Sequence, residues 1–354
     1  MFGGRTQVQD PEVYKQLLAW YPKAEIVLTS TSGEIIDTHI LDDGIVVTAI
    51  FFYHTKIKVV EESILKVEES YSIGQKLAKN LPGEGLVHVM TFSQGLNING
   101  TQFVAGLQDY LPKNVPVTGG FAGDGTNFKK TAVGLNGSAQ SNKIVLIGFY
   151  GSSIRIGYGS KGGWDPFGID RIITKSKGNI LYELDGKPAL ALYKEYLGEK
   201  AKDLPLSGLL FPLSLKMKTA TGAEVDIVRS ALGVDEATQS LTFAGDVPEG
   251  LSARLMKAND DRLIDGSIEA ADRSVKKLNN SNAELAIFVS CVGRKLVLKE
   301  RTEEELEEAK KIIGPQTRIT GFYSYGEICP VPLSGEQSLF HNQTMTITIL
   351  KEIE

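Results

Sequence analysis

Cysteine is almost absent from this chain: Cys291 and Cys329 are the two present in 354 residues. Two thiols cannot build a disulfide framework, and their scarcity suits a reducing cytosol. Histidine is nearly as scarce. His39, His54, His88 and His341 have no metal-ligand spacing with the two cysteines. No run approaches the roughly 18 apolar residues of a membrane span. The opening residues, MFGGRTQVQDPEVYKQLLAWYPKAE, contain no apolar stretch of signal-peptide length. Positive charge is not in excess. The net charge is −5 at pH 7, so no global field draws the chain to nucleic acid or anionic lipid. G-x-x-x-x-G-K-[ST] and G-x-S-x-G are both missing. The stretch 157-GYGSKG-162 fits G-x-G-x-x-G, but Trp164-Asp165-Pro166 follows where a helix should open, which discounts a dinucleotide site.

What is present reads as a soluble globular protein, with 42% apolar and 23% charged residues. The length exceeds the roughly 100–200 residues of one domain. A Gly-acid turn recurs, at Gly33-Glu34, Gly123-Asp124, Gly245-Asp246 and Gly326-Glu327. Around these turns the order of elements repeats. In the first half, strand IVLTST enters Gly33-Glu34 and strand 45-IVVTAIFF-52 leaves it. A helix over 72–81, strand 86–93, a helix over 101–111, a strand into Gly123-Asp124 and strand 144–150 follow. In the second half, strand 241–244, strand 251–258, a helix over 261–278, strand 285–291, a helix over 303–313, a strand into Gly326-Glu327 and strand 344–350 return in the same order. The pattern predicts an α/β (α+β) fold of two similar ββαβαββ lobes related by internal duplication. Residues 1–239 form the N-terminal domain, including a bridging insertion over 152–239, and residues 240–354 form the C-terminal domain. Local signals support the helices. Thr302 and Glu305 read as a capping box, as do Ser72 and Gln75. Ile264, Ile268, Ala271, Val275 and Leu278 give one apolar stripe. The Gly-rich stretch 157–168 reads as a loop. The strand 45–52 is apolar nearly throughout, so both of its faces are expected to be covered.

These residues carry a resemblance. The motifs 119-GGFAGD-124, 182-YELDGKPA-189, 290-SCVGR-294, 321-GFYSYGEI-328 and 341-HNQT-344 stand in order along the chain. With them the chain resembles the FIST family, the "F-box and intracellular signal transduction" sensory domains, over nearly its whole length. One position departs from the pattern: family members often begin the first turn Gly-Cys-Ser-Thr, and here it is Leu28-Thr29-Ser30-Thr31. The resemblance implies a small-molecule sensor, with amino acids as proposed ligands. It also implies a signal passed to a separate partner such as a kinase, a cyclase or a chemoreceptor-like output. For some members it implies haem and a response to nitric oxide.

Residue chemistry places the expected site at two polar strand ends. Loops held by a rigid sheet are where ligands usually sit. Arg294 could hold a ligand carboxylate bidentately and Glu327 an ammonium group, which together would match a zwitterion. The alternative is that these two pair with each other or cap loops. Tyr325 and Tyr323 share a face of their strand, with Ser324 beside them and Ser290 and Cys291 expected at the base of a common cavity. As buried residues, the cysteines behave as small apolar groups. His341 precedes the last strand. Asp124 marks the first-half turn, and Trp164 is a candidate lid or a packed anchor. The reading is a cytoplasmic binding sensor without catalysis of its own, no cofactor, and no nucleic-acid or membrane partner. The rivals are a haem-based nitric oxide sensor with a His ligand, a small-molecule hydrolase or lyase, and an adaptor that recognises only protein.

Overall fold

Strands made almost entirely of apolar residues must be covered on both faces, and the two central sheets meet that demand by stacking. The computed structural model describes residues 1–219, 222–331 and 336–353. In the first six-stranded sheet, Leu86–Ser93 and Val117–Phe121 run parallel. Lys143–Tyr150 lies antiparallel on the other side of Leu86–Ser93, and Lys56–Ser63 lies antiparallel outside it. The second six-stranded sheet repeats this. Leu285–Cys291 and Arg318–Ser324 are parallel, Met345–Glu352 is antiparallel beside them, and Ile154–Lys161 lies outside. Met90, Phe92, Val145 and Phe149 of the first sheet pack on Ile287, Val289, Phe322 and Leu350 of the second. Helices Ser70–Lys79 and Gly100–Tyr110 cover the far face of the first sheet, and Asp260–Lys277 and Thr302–Ile313 that of the second. The result is a helix, sheet, sheet, helix sandwich.

The fold is a duplicated α/β arrangement, as expected, with its repeat shorter at the start. Helix, strand, helix, strand, strand recurs with the same strand order in both halves. The two strands expected to precede it go elsewhere. Val27–Ser30 joins a four-stranded sheet, and Ser240–Phe243 and Ser252–Lys257 join an eight-stranded one. That sheet has its own core around Leu181, Leu190, Leu215 and Phe243. It pairs Ile180–Leu184 with Ser240–Phe243 and Asp165–Lys177 with Ser252–Lys257, so strands from both sides of residue 240 share it.

Each half also lends a hairpin to the other. Glu34–Ile36 with His39–Leu41 extends the second sheet beside Arg318–Ser324. Gly326–Pro330 with Ser338–His341 extends the first sheet beside Val117–Phe121. The halves are interlocked through backbone hydrogen bonds rather than docked as separate lobes.

Several local readings are corrected. Of the run 45–52, Ile45–Val46 alone is strand. The outer strand of the first sheet is Lys56–Ser63, whose alternation of Lys, Glu and apolar residues suits an edge. The stretch 157–161 is strand rather than loop. The peptide oxygens of Ser274 and Ala270 would lie 2.2 Å from a Cβ at Gly157 and at Gly159, so glycine there lets helix Asp260–Lys277 settle onto the strand. That strand belongs to the second sheet, so the segment 152–239 is not wholly an insertion. Neither capping box forms. Helix Ser70–Lys79 starts before Ser72. Thr302 lies inside its helix and Glu305 points inward.

The two helices on the first sheet cross closely. A Cβ at Gly106 would stand 2.0 Å from the Tyr71 oxygen, and one at Gly74 would stand 2.4 Å from that of Phe103. Gly106→Val should therefore force the helices apart and lower stability by about 3 kcal/mol, measured as a fall in denaturation midpoint at unchanged denaturant sensitivity.

Candidate functional site

The stretch 321-GFYSYGEIC-329 is a crossing between sheets. It leaves the second sheet at Ser324 and enters the first at Gly326. The alternation that would align Tyr323 with Tyr325 ends there. Tyr323 packs into the helix layer of the second sheet, whereas Tyr325 belongs to the core of the first.

The expected zwitterion clamp does not form. Arg294 is fully buried, and its partner is Glu305. Its Nε and Nη2 donate to Glu305 Oε2 at 3.0 and 2.6 Å, and Nη2 also reaches Leu263 O at 2.7 Å. Nη1 donates to Gly162 O. Glu305 Oε1 accepts from Tyr323 Oη at 2.7 Å and from Ser290 Oγ at 3.1 Å. Burial, reinforced by the Glu305 charge, pushes the Tyr323 phenol well above its ordinary range. Glu327 faces a different set. Its Oε1 accepts from Ser324 Oγ at 2.6 Å, and its Oε2 accepts from Thr344 N and Oγ1 at 3.1 and 2.9 Å. Burial pushes it up to about 7. Cys291 lies buried nearby, its thiol pushed up by burial and then by Glu327.

The remaining candidates also find partners inside the fold. His341 Nε2 pairs with Cys329 O at 3.0 Å, and burial pushes the ring down to about 4. Trp164 Nε1 donates to Gln343 O at 2.9 Å, which makes it a packed anchor. Asp124 accepts from Arg5 Nε and Lys130 N, each at 3.2 Å. Tyr325 Oη sits between Gly125 O and Phe128 N, each at 3.2 Å, with its ring stacked 4.5 Å from that of Phe128. The sequence motifs converge in space, but as hydrogen-bonded joints.

Concave space lies elsewhere. A cavity of about 830 Å³ opens between the two sheets at the edge formed by Lys56–Ser63. Its floor is the inner face of the first sheet, with Val59, Ile147, Met90 and Phe92. Ile287 and Thr320 face it from the second sheet, and residues 47–52 and 20–27 form its walls. The apolar run Val47–Phe52 is thus a strap over the cavity. Glu352 anchors its end, accepting from Tyr53 N at 2.7 Å, His54 N at 3.0 Å and Thr55 N at 2.6 Å. Glu34 Oε2 holds the other end through Gly44 N at 2.8 Å, and Thr48 Oγ1 meets Thr320 Oγ1 at 2.8 Å. Trp20 and Phe51 of the lining stand exposed, and the exposed Tyr53 ring packs against Phe51. Thr29 Oγ1, buried in the lining, has no partner among the described residues, and the Thr55 hydroxyl lies against the Glu352 carboxylate. Among the described residues the charged side chains in the lining are Lys23 and Glu25, both exposed at its edge. The Met1 amine donates to Val27 O at 2.8 Å, and burial pushes it down to about 5.

None of these lining residues stood among the sequence candidates. The signal that reached them was Thr29, where the first turn departs from Gly-Cys-Ser-Thr. The four imidazoles and two thiols lie outside the lining, so a haem with a histidine ligand does not fit this cavity.

Residues 1–187 match the FIST N domain, and residues 189–330 match the FIST C domain. The chain belongs to the FIST family. FIST domains are sensory domains. An uncharacterized protein of Methanocaldococcus jannaschii is 28% identical over 268 residues, covering 68% of this chain and 49% of that protein. The FIST chain therefore spans about half the length of the curated relative it matches. Cyanuric acid hydrolase from A. caulinodans aligns over 85% of this chain and 100% of its own at 9% identity. Its TM-score is 0.21, and at that score the likeness carries no argument. No helix among the described residues is long and apolar enough to cross a membrane.

Two predictions follow from the buried carboxylates. Arg294→Met should cost about 3–5 kcal/mol of stability, because Glu305 is left charged and buried without its partner. Adding Glu305→Gln should recover part of that loss in the same urea titration. Glu327 holds its proton to a higher pH in the folded chain than in the unfolded one. Its stabilisation is therefore present below about 4.5 and lost as pH rises through about 7. The stability of the wild type relative to Glu327→Gln should fall by about 3 kcal/mol as pH rises across that window. His88 and His341, both pushed down by burial, change stability in the opposite direction with pH but cancel in this difference.

Proposed function

We propose that this FIST chain is a cytoplasmic sensory module that takes a small molecule into the cavity between its two sheets. It passes occupancy to a separate signalling protein such as a kinase, a cyclase or a chemoreceptor-like output. The observation that carries this reading is the cavity itself. At about 830 Å³ it lies within the size range of small-molecule sites. It is walled by the two duplicated sheets and closed by one strap. Two free buried thiols suit a reducing cytosol.

The strap supports the signalling half of the reading. Phe51 and its neighbours line the cavity, while Phe51 and Tyr53 are also exposed on the surface. A ligand that repositions Val47–Phe52 changes the face offered to a partner, and it shifts that equilibrium by its differential affinity for the two strap positions. The carboxylate-guanidinium chemistry that would favour an amino acid is consumed by Arg294 and Glu305. The ligand is therefore sought among molecules that suit an apolar wall.

The neutral fluorophore N-phenyl-1-naphthylamine tests the site. It should bind the wild-type chain saturably with enhanced emission. Ile147→Trp, which fills the floor, should abolish the enhancement while keeping a cooperative melting transition. Equal binding by both proteins would move the ligand site away from this cavity.

A further inference from the structure

Resting on the reading of this cavity as the ligand site, we propose that the strap is a gate and that Glu352 is its latch. Release of the bonds that Glu352 accepts frees residues 47–55 to swing away from the edge of the sandwich and admit a ligand.

The first observation is how little else holds the strap. Ile45–Val46 pairs with Phe2–Gly3 before it, and Lys56–Ser63 pairs with Lys143–Tyr150 after it, so both ends are fixed in sheets. Between them, among the described residues, no backbone group of 47–55 bonds to another backbone group. Three successive N–H groups, those of Tyr53, His54 and Thr55, instead donate to the one Glu352 carboxylate, and the Thr55 hydroxyl lies against it. The other polar tie of the strap, among the described residues, is the single Thr48–Thr320 bond.

The second observation is the character of the tie. Hydrogen bonds to an ionised acceptor are roughly twice as strong as neutral ones. Desolvation raises the Glu352 carboxyl, but the Thr55 hydroxyl and the three N–H groups outweigh it and pull it down to about 2, so the acceptor is charged at neutral pH. Glu352 ends the second-sheet strand Met345–Glu352, and its own N–H donates to Glu284 Oε2 at 2.9 Å. The latch therefore ties the strap, which continues into the first sheet, to the second sheet. Thr55 at the bonded end lines the cavity, whereas Glu352 lies outside the lining.

The third observation is that the strap packs unevenly. Phe52 turns its ring edge-on to Phe149, with centroids 6.1 Å apart, whereas Phe51 and Tyr53 are 77% and 80% exposed and pack on each other. Outward movement strips Phe52 of its packing and costs Phe51 and Tyr53 little. Segments with few backbone bonds and few buried contacts are those that open locally while the rest of the fold stays intact. With the remaining contacts this sparse, the Glu352 bonds set the balance between the closed and open strap.

Glu352→Gln keeps the length of the side chain and removes its charge without altering the lining. Chymotrypsin cleavage of the full chain at Phe51, Phe52 and Tyr53, read by mass spectrometry, should proceed about tenfold faster in this variant at an unchanged urea midpoint. N-phenyl-1-naphthylamine should both associate and dissociate about threefold faster in stopped flow, since a gate speeds passage in both directions. Cleavage at the wild-type rate would overturn the latch, as would faster cleavage matched by a lowered urea midpoint, which assigns the cutting to global unfolding. Faster cleavage with an unchanged association rate would overturn the gate. If the variant does not fold, amide hydrogen exchange in the wild type decides: shared protection of Tyr53, His54 and Thr55 supports the latch, and unprotected exchange overturns it. Failure of the wild type to bind the fluorophore would remove the underlying reading of the cavity, while the cleavage rates would still decide the latch.

Discussion

The buried ion pair between Arg294 and Glu305 is the constraint on which the C-terminal half depends. It joins three helices, Val292–Leu298, Asp260–Lys277 and Thr302–Ile313, and the turn at Gly162 at one point inaccessible to solvent. A guanidinium with a carboxylate, two peptide oxygens, a phenol and a serine hydroxyl gathered around the pair satisfies nearly every lone pair that burial would otherwise strand. Such a network tolerates little displacement, so the ends of Leu285–Cys291 and Arg318–Ser324 are held in register with the helices above them. The chain then leaves Ser324 in one direction, toward the other sheet.

That direction matters because the crossing is what interlocks the halves. The hairpin Gly326–Pro330 with Ser338–His341 completes the first sheet, and the early hairpin from Glu34 to Leu41 completes the second. Each sheet therefore contains backbone from both halves, and the polar motifs around Gly33, Gly123 and Gly326 mark the places where chain is handed across. Tyr325, Glu327 and Asp124 are hydrogen-bonded there because a crossing chain has backbone groups without sheet partners and must meet them by other means.

The same arrangement leaves one side of the sandwich open. At Thr118 and Thr348 the sheets are close enough for a hydroxyl of one to bond a hydroxyl of the other. At the Lys56–Ser63 edge they diverge, and the strap and the small four-stranded sheet cover the gap. The contrast between a tightly bonded joint and a loosely covered opening in one molecule fits a sensory domain: rigidity where the sheets meet and apolar adaptability where the cavity opens.

By itself the sequence determined the family, the α/β class and the strongest local elements. Helix Asp260–Lys277 followed from its apolar stripe and Leu285–Cys291 from its unbroken hydrophobicity, because those signals reside in neighbouring residues. The sequence also marked Arg294, Tyr323 and Glu327 as unusual. Tertiary structure alone decided what they bond to. Glu305 looked like the second half of a capping box, since a glutamate three residues into a helix has the same local pattern whether it caps the helix or turns inward. The run 45–52 looked like a buried strand because hydrophobicity reports that a segment is covered and not what covers it. Thr29 carried no local mark of being unpaired, as a threonine's missing partner is a property of three-dimensional surroundings. The cavity exists because strands distant in sequence diverge across two sheets, and sheet order and divergence are set by long-range pairing that no short window of sequence contains.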